Sequence, residues 1–182
     1  DAQVKITGGN ITATSDDWGA GIGSGSDGTA YVEITGGEIN ATGGYLGAGI
    51  GGGCNGSGNV TISGGGITAA GGEGAAGIGG GYYNGATVTI TGDAVIKNAS
   101  NTKYGAGIGG GYGYDGDVTI SGNAKIENAT GGYGAASAAA HLVPPIKSAT
   151  AMWSSRRMPK STMCRAAPMA QASAVVFMVS AM

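Results

Sequence analysis

The sequence Gly47-Ala48-Gly49-Ile50-Gly51-Gly52-Gly53 occurs in four similar copies that set the period of the chain. The other copies begin at Gly19, Ala75 and Gly105, and their central isoleucines stand at positions 22, 50, 78 and 108. The steps between these isoleucines are therefore 28, 28 and 30 residues. A fixed period of this size is typical of a solenoid, in which each repeat buries its apolar face only against neighbouring repeats.

Short segments in which apolar and polar residues alternate precede each copy. Alternation with β-branched residues predicts a strand whose Val and Ile side chains point inward. A second short strand is predicted around an inward Ile that is followed two residues later by Ala, and the glycine-rich copy supplies the third strand. No helical period is visible, so the sequence predicts an all-β fold. We expect a right-handed parallel β-helix with about 28 residues per coil and three short strands per coil. The first strands contain Val4-Lys5-Ile6, Val32-Glu33-Ile34, Val60-Thr61-Ile62, Val88-Thr89-Ile90 and Val118-Thr119-Ile120.

A glycine closes each first strand and marks a predicted turn. Glycine adopts positive φ angles without a Cβ penalty, so we expect the chain to turn at this glycine. These glycines are Gly8, Gly36, Gly64, Gly92 and Gly122.

A change of composition near residue 134 predicts a boundary. All 41 glycines lie at or before Gly134, whereas all four prolines and all six methionines follow it. We therefore expect β-helix repeats over residues 1–134, about four and a half coils of a longer solenoid, and a separate segment over residues 135–182.

Our hypothesis for this second segment is a shifted reading frame. Removing one G from codons for Gly-Ala-Gly-Ile-Gly-Gly-Gly gives Gly-Ala-Ala-Ser-Ala-Ala-Ala, which is the sequence of residues 134–140. The reverse shift turns residues 170–176 back into the glycine-rich motif. We therefore expect residues 135–182 to be a frameshifted, non-native tail that is disordered or poorly packed; the alternative is a linker rich in Pro, Met and Ala. The nucleotide sequence of the gene decides between them.

The charge of the repeat region limits the partners of the chain. Residues 1–134 contain all 11 acidic residues but only four lysines, so a nucleic acid partner would be repelled by this region. We expect no membrane insertion, since no long apolar span is present. The region has no His or Arg, and its acidic pairs lie in variable loops, so the sequence reveals no assembled catalytic site and leaves enzymatic activity open.

Aromatic residues cluster beside the glycine-rich copies and are candidate ligand-binding residues. Aromatic faces exposed on a rigid scaffold can stack on sugar rings, and a phenol adds a polar group. The alternative is that they cover loop backbone and the rim of the core. The candidates are Trp18, Tyr45, Tyr82, Tyr83, Tyr104, Tyr112 and Tyr114.

Asp115 and Asp117 are candidate ligands for Ca²⁺. Residues 110–115 are similar to the start of a calcium-binding β-roll repeat, and carboxylate oxygens are the ligands that calcium prefers. Asp117, however, stands where that repeat has an aliphatic residue, and the motif occurs only once. The alternative is that both are solvated surface acids.

The repeat I-T-G-G-x-I-x-A-T-G-G, followed by G-A-G-I-G-G-G, resembles repeats of large secreted or cell-surface β-helix proteins of bacteria. The likeness covers residues 4 to about 134. It implies an extracellular or cell-surface module that binds polysaccharide or a host glycan, or an adhesin stalk joined to further β-helix coils, in some cases with calcium. The resemblance carries over no binding residue. Two alternatives stay open: a fragment of a β-helix polysaccharide lyase or hydrolase, and a purely structural spacer.

Overall fold

The computed structural model describes residues 1–132 and 138–142 and shows an all-β solenoid of about five coils. The first strands of successive coils pair in parallel and form one six-stranded sheet. No helix occurs among the described residues. In spatial order this sheet contains β1 (Ala2–Ile6), β4 (Ala30–Ile34), β7 (Gly58–Ile62), β10 (Ala86–Ile90), β13 (Gly116–Ile120) and β16 (Ala138–Leu142).

The second and third strands of the coils form two further parallel sheets. The second sheet contains β2 (Asn10–Thr14), β5 (Glu38–Thr42), β8 (Gly66–Ala70), β11 (Val95–Ser100), β14 (Lys125–Ile126) and β15 (Ala129–Thr130), the last of which also pairs with β11. The third sheet contains β3 (Ile22–Gly23), β6 (Ile50–Gly51), β9 (Ile78–Gly79) and β12 (Ile108–Gly109). The parallel β-helix with three short strands per coil and about 28 residues per coil is thus confirmed, and its right-handed winding stays a prediction.

The core consists of columns of like residues that stack along the solenoid. Ile34 pairs in register with Ile62, and Ile50 pairs with Ile78; all four side chains are fully buried. Burying one such side chain stabilises the fold by about 1.5–3 kcal/mol. Val4, Ile11 and Ala13 of the first coil are only partly buried, because a neighbouring coil covers them on one side. The register therefore follows the repeat period seen in the sequence.

The two extra residues of the fourth coil lie at two separate places. Ile90 pairs with Ile62 but Val95 pairs with Gly66, so the turn between them is one residue longer than its equivalent in the third coil. The second extra residue is Lys97, which forms a bulge between Ile96 and Asn98. The fourth coil absorbs both without losing the stacking of its core residues.

The predicted positive φ at the turn glycines is correct only for Gly92 and Gly122, whose φ angles are 61° and 69°. In the first three coils the next residue takes this role: φ is 95° at Gly9, 103° at Gly37 and 91° at Gly65. The expectation for Gly8, Gly36 and Gly64 was therefore wrong. The turns of the first three coils contain two consecutive glycines and are shorter, and their left-handed residue is the second glycine.

The glycine that follows each central isoleucine is required both by its conformation and by close packing of the coils. The φ angle of Gly51 is 133°, and a Cβ atom built on this residue would lie 2.0 Å from the carbonyl oxygen of Gly79. Ala48 N donates to Gly52 O at 2.9 Å and closes a narrow arch around Ile50. Each glycine-rich copy therefore forms an arch, and only glycine allows the arches of successive coils to approach this closely.

Strand β16 lies in the segment predicted to be frameshifted. It pairs with β13, and Ala138 is the register partner of Gly116, 22 residues earlier in the chain. Residues 133–137 and 143–182 lie outside the described residues, so the predicted tail over residues 135–182 falls largely outside them and stays a prediction. In the described part of the chain, no helix has the length and apolar character needed to span a bilayer.

Candidate functional site

Two sets of loops on either side of the third sheet form one continuous surface, which we call the arch edge. The first set joins the second strand to the third, and the next set joins the third strand to the following coil. Backbone hydrogen bonds tie the two sets across coils: Cys54 N to Trp18 O at 2.7 Å, Tyr82 N to Leu46 O at 3.0 Å, and Tyr112 N to Gly74 O at 2.7 Å. The first set comprises residues 15–21, 43–49, 71–77 and 101–107, and the other comprises residues 24–29, 52–57, 80–85 and 110–115.

All seven aromatic candidates lie on the arch edge, and four of them form a cluster. The rings of Tyr82 and Tyr112 are nearly parallel, with an interplanar angle of 8° and centroids 5.7 Å apart. Tyr83 lies 3.9 Å from Tyr82 and 6.0 Å from Tyr112, measured between ring centroids. Tyr104 meets Tyr112 edge to face at 5.4 Å. We call these four residues the tyrosine cluster.

The tyrosine cluster has a half-buried base and two exposed members. Tyr82 and Tyr112 occupy equivalent positions in successive coils and are half-buried, whereas Tyr83 and Tyr104 are 40% and 39% exposed. The absence of a side chain at Gly74 leaves room for the ring of Tyr82, since a Cβ atom on Gly74 would lie 1.9 Å from Cδ2 of Tyr82. Tyr82 and Tyr112 therefore support the exposed rings.

The phenol of Tyr82 is held in its protonated form. Burial raises its pKa above the ordinary value for tyrosine, and the hydrogen bond to Tyr83 raises it further. The two phenol oxygens lie 3.1 Å apart, with Tyr82 as donor. The pair thus presents hydroxyl groups that act as hydrogen-bond donors and acceptors.

Tyr83 adopts a backbone conformation that is unusual for an aromatic residue. Its φ angle is 62°, in the left-handed region. The equivalent residues of the other coils are Asp27, Asn55 and Gly113, with φ angles of 61°, 55° and 77°. Asn, Asp and Gly tolerate this region, whereas a bulky side chain is strained there. The left-handed turn is thus common to all four coils, and only in the third coil does an aromatic residue occupy it.

Asn101 holds the loop that carries Tyr104. Its buried side-chain oxygen accepts hydrogen bonds from the amides of Lys103, Tyr104 and Gly105 at 2.8, 2.9 and 3.1 Å. Its side-chain nitrogen donates to Ala75 O at 2.8 Å and to the carbonyl oxygen of Gly72. Asn101 therefore links the loops of two successive coils and fixes the backbone beneath Tyr104.

A polar row runs beside the tyrosine cluster across three coils. Lys103 Nζ lies 3.1 Å from Glu73 Oε1, and the Glu73 carboxylate also interacts with the phenol of Tyr45 in the second coil. Lys103 and Tyr45 together lower the pKa of Glu73, while Glu73 raises the pKa of Tyr45. At neutral pH the row therefore presents the carboxylate of Glu73 and the protonated phenol of Tyr45, with Lys103 Nζ beside the carboxylate.

The remaining aromatic candidates stand apart from the ring contacts of the cluster. Trp18 is 56% exposed and lines a groove of about 500 Å³ with Asp17, Gly19 and Ser26. Tyr45 is 58% exposed, and Tyr114 is also exposed. The structure therefore places all seven on one edge but brings only four into mutual contact.

Asp115 and Asp117 lie on different elements. Asp115 is in the loop before β13, and Asp117 is exposed on β13 itself, where its register neighbours are Thr87 and Ala139. Stacking therefore brings no second carboxylate into register with Asp117. Among the residues that the structure describes, no group of three acidic, His or Cys side chains comes together. The calcium prediction thus rests on the sequence alone.

Sequence reasoning missed Gly74 and Asn101, both of which position members of the tyrosine cluster. Gly74 occupies the same position in its coil as Trp18, Leu46 and Tyr104 in theirs. A glycine among three large residues indicates a place where a neighbouring side chain needs space. Asn101 replaces the glycine found at the same place in the two preceding coils, Gly43 and Gly71. A column-by-column comparison of the repeats would have found both.

Comparison with known families identifies the repeat. The sequence model of a family described as "Beta helix repeat" matches residues 4–26, 32–54, 60–82 and 84–112, which together make up more than half of the chain. The first three matches begin at the first valine of the first strand and end in the loop that follows the arch. No curated protein and no solved structure matches the chain.

Proposed function

Because the chain belongs to the β-helix repeat family, we propose that it is an extracellular, non-enzymatic module that binds polysaccharide through the arch edge. The observation that carries this proposal is the tyrosine cluster, in which two half-buried rings support two exposed ones. Exposed aromatic faces on a rigid scaffold are suited to stacking on sugar rings.

The polar row beside the cluster supports the same function. Sugar hydroxyls need both donors and acceptors, and the row supplies Glu73 as an acceptor, Lys103 as a donor and Tyr45 as both. Protein sites that combine an apolar surface with a few placed polar groups bind small ligands specifically. The arch edge therefore offers stacking and hydrogen bonding side by side.

The proposed setting is the bacterial cell surface or the extracellular space, where the module binds a plant, host or cell-surface glycan or acts in an adhesin stalk. Further β-helix coils are its proposed partners within a longer chain. A purely structural spacer is the alternative, and it is favoured by the regular stacking of the coils, which extends a solenoid without any ligand.

A glycan-array experiment with the full chain, with and without Ca²⁺, tests the proposal. We expect selective binding by the wild type, loss of binding by Tyr104→Ala, and full binding by Tyr31→Ala. Tyr31 is the matched control because it is an exposed tyrosine on the outer face of β4, away from the arch edge. Binding that requires Ca²⁺ would support Asp115 and Asp117 as ligands. A folded chain that binds no glycan would refute the proposal in favour of the spacer.

A further inference from the structure

We propose that the ligand of the arch edge is a linear, uncharged polysaccharide that lies along the solenoid axis and contacts four consecutive coils. This inference rests on the polysaccharide binding proposed above and adds the direction, length and charge of the ligand. It follows from three features of the arch edge: the order of its aromatic residues, the links between its loops and its charge.

Each of the first four coils contributes at least one candidate aromatic residue to the arch edge. Trp18 comes from the first coil, Tyr45 from the second, Tyr82 and Tyr83 from the third, and Tyr104 and Tyr112 from the fourth. Parallel strands lie about 4.8 Å apart, so the row of aromatics extends about 14 Å along the axis. A ligand that uses all of them must be extended in that direction.

Backbone hydrogen bonds hold this row in one arrangement. Glu73 N donates to Tyr45 O at 2.7 Å, and Tyr104 N donates to Glu73 O at 3.1 Å, so the loops of the second, third and fourth coils are linked in sequence. The carbonyl of Trp18 is bonded to Cys54 of the second coil. The aromatic residues therefore lie on one connected backbone framework, which lowers the entropic cost of binding an extended chain.

The charge of the arch edge selects against acidic sugars. Its loops carry five carboxylates but one ammonium group, that of Lys103, which is already paired with Glu73. A surface of one sign repels ligands of the same sign. A chain of uronic acids would thus be repelled along the row, whereas a neutral chain would not. The five carboxylates belong to Asp16, Asp17, Asp27, Glu73 and Asp115.

Calorimetric titration of the full chain with oligosaccharides of increasing length tests the inference. The probes are cello-, manno- and xylo-oligosaccharides from disaccharide to hexasaccharide, and oligogalacturonates of the same lengths. We expect the affinity for one neutral series to rise about tenfold or more from disaccharide to hexasaccharide. Each added stacking contact strengthens binding by up to about tenfold, and these gains accumulate as the chain lengthens. Oligogalacturonates should bind more weakly at every length.

Three variants distinguish a ligand that lies along the solenoid axis from one that binds only at the tyrosine cluster. Trp18→Ala should weaken binding of the hexasaccharide severalfold and leave the disaccharide unchanged, because only the longer chain reaches the first coil. Tyr104→Ala should weaken both, and Tyr31→Ala neither. Equal affinities for short and long chains, or a hexasaccharide unaffected by Trp18→Ala, would overturn the axial arrangement while the proposed function stands. Preference for oligogalacturonates would overturn the neutral ligand. Failure of both classes to bind would remove the proposed function as well.

Discussion

The phenol oxygens of Tyr82 and Tyr83 lie 3.1 Å apart, although the two residues are neighbours in the sequence. In an extended chain, successive side chains point to opposite sides. The left-handed conformation of Tyr83, with φ of 62°, is what brings the two rings to the same side. The tyrosine cluster is therefore assembled at the cost of local backbone strain.

This strain predicts that Gly is more stabilising than Ala at position 83, which is the reverse of the usual order. Tyr83→Gly should be more stable than Tyr83→Ala by about 1 kcal/mol, because both remove the ring and only Ala has a Cβ that opposes the left-handed region. Thermal and denaturant unfolding followed by circular dichroism measure this difference.

The matched control for this comparison is Tyr114, an exposed tyrosine in the equivalent loop of the fourth coil that has no positive φ. There we expect Tyr114→Ala to be at least as stable as Tyr114→Gly, since glycine gains entropy in the unfolded chain. The strain argument fails if Ala is the more stable replacement at both positions.

The stacked arches predict a large difference between two substitutions of glycine by alanine. Gly51→Ala should lower the free energy of unfolding by about 2–5 kcal/mol, because its Cβ would lie 2.0 Å from Gly79 O and its φ is 133°. Gly25→Ala should change stability little, since a Cβ on Gly25 meets no atom within 4 Å. Similar melting temperatures for the two variants would contradict the proposed role of the arch.

The fold was predictable because the repeat pattern of the sequence identifies the core residues. The columns of Ile34 with Ile62 and of Ile50 with Ile78 follow from a 28-residue period and from β-branched residues at alternate positions. The exact turn residue was not predictable in the first three coils, because Gly8 and Gly9 are chemically identical and only the backbone distinguishes them.

The location of the aromatic candidates was predictable, but their arrangement was not. Their positions beside the glycine motif placed all seven near one edge of the coil. The contact between Tyr82 and Tyr112 depends on the stacking of two coils, and the space under Tyr82 depends on Gly74 in a different loop. Sequence patterns indicate which columns neighbour one another, but they do not give the ring orientations or the left-handed φ of Tyr83.

The polar row predicts how the titration of Glu73 depends on Lys103. Lys103 is the main cause of the lowered pKa of Glu73, so Lys103→Met should move this pKa up towards the ordinary value for glutamate. A carboxyl group with a lowered pKa in the folded state stabilises the fold above its ordinary pKa, and this stability is lost as the pH falls through the folded pKa. The stability of Lys103→Met should therefore decrease less steeply than that of the wild type as the pH falls through the acidic range.

Carbon-13 NMR titration of the Glu73 carboxyl group measures this pKa, and melting temperatures across the acidic range follow its effect. Lys5→Met is the matched control, since Lys5 pairs with Glu33 at 3.0 Å on the first sheet, outside the loops of the arch edge. It should leave the pKa of Glu73 where it is in the wild type. An unchanged pKa in Lys103→Met would show that the ion pair does not persist in solution.

The buried amide of Asn101 predicts that a single side chain controls both stability and the backbone under Tyr104. Asn101→Ala should lower the free energy of unfolding by about 3 kcal/mol, because buried polar groups left without partners cost about 1–3 kcal/mol each. The amides of Lys103, Tyr104 and Gly105 should then exchange hydrogen faster than in the wild type, since they lose their common acceptor.

Asn101→Asp separates the two roles of this side chain. It keeps an oxygen that can accept from the three amides but replaces the nitrogen that donates to Ala75 O, so the amides should stay protected while stability still falls. Asn123→Ala is the control, because this exposed asparagine only donates to Asp93 Oδ1 at 3.1 Å and should cost well under 1 kcal/mol. If the three amides exchanged equally fast in Asn101→Ala and the wild type, Asn101 would not be the residue that fixes Tyr104 on the arch edge.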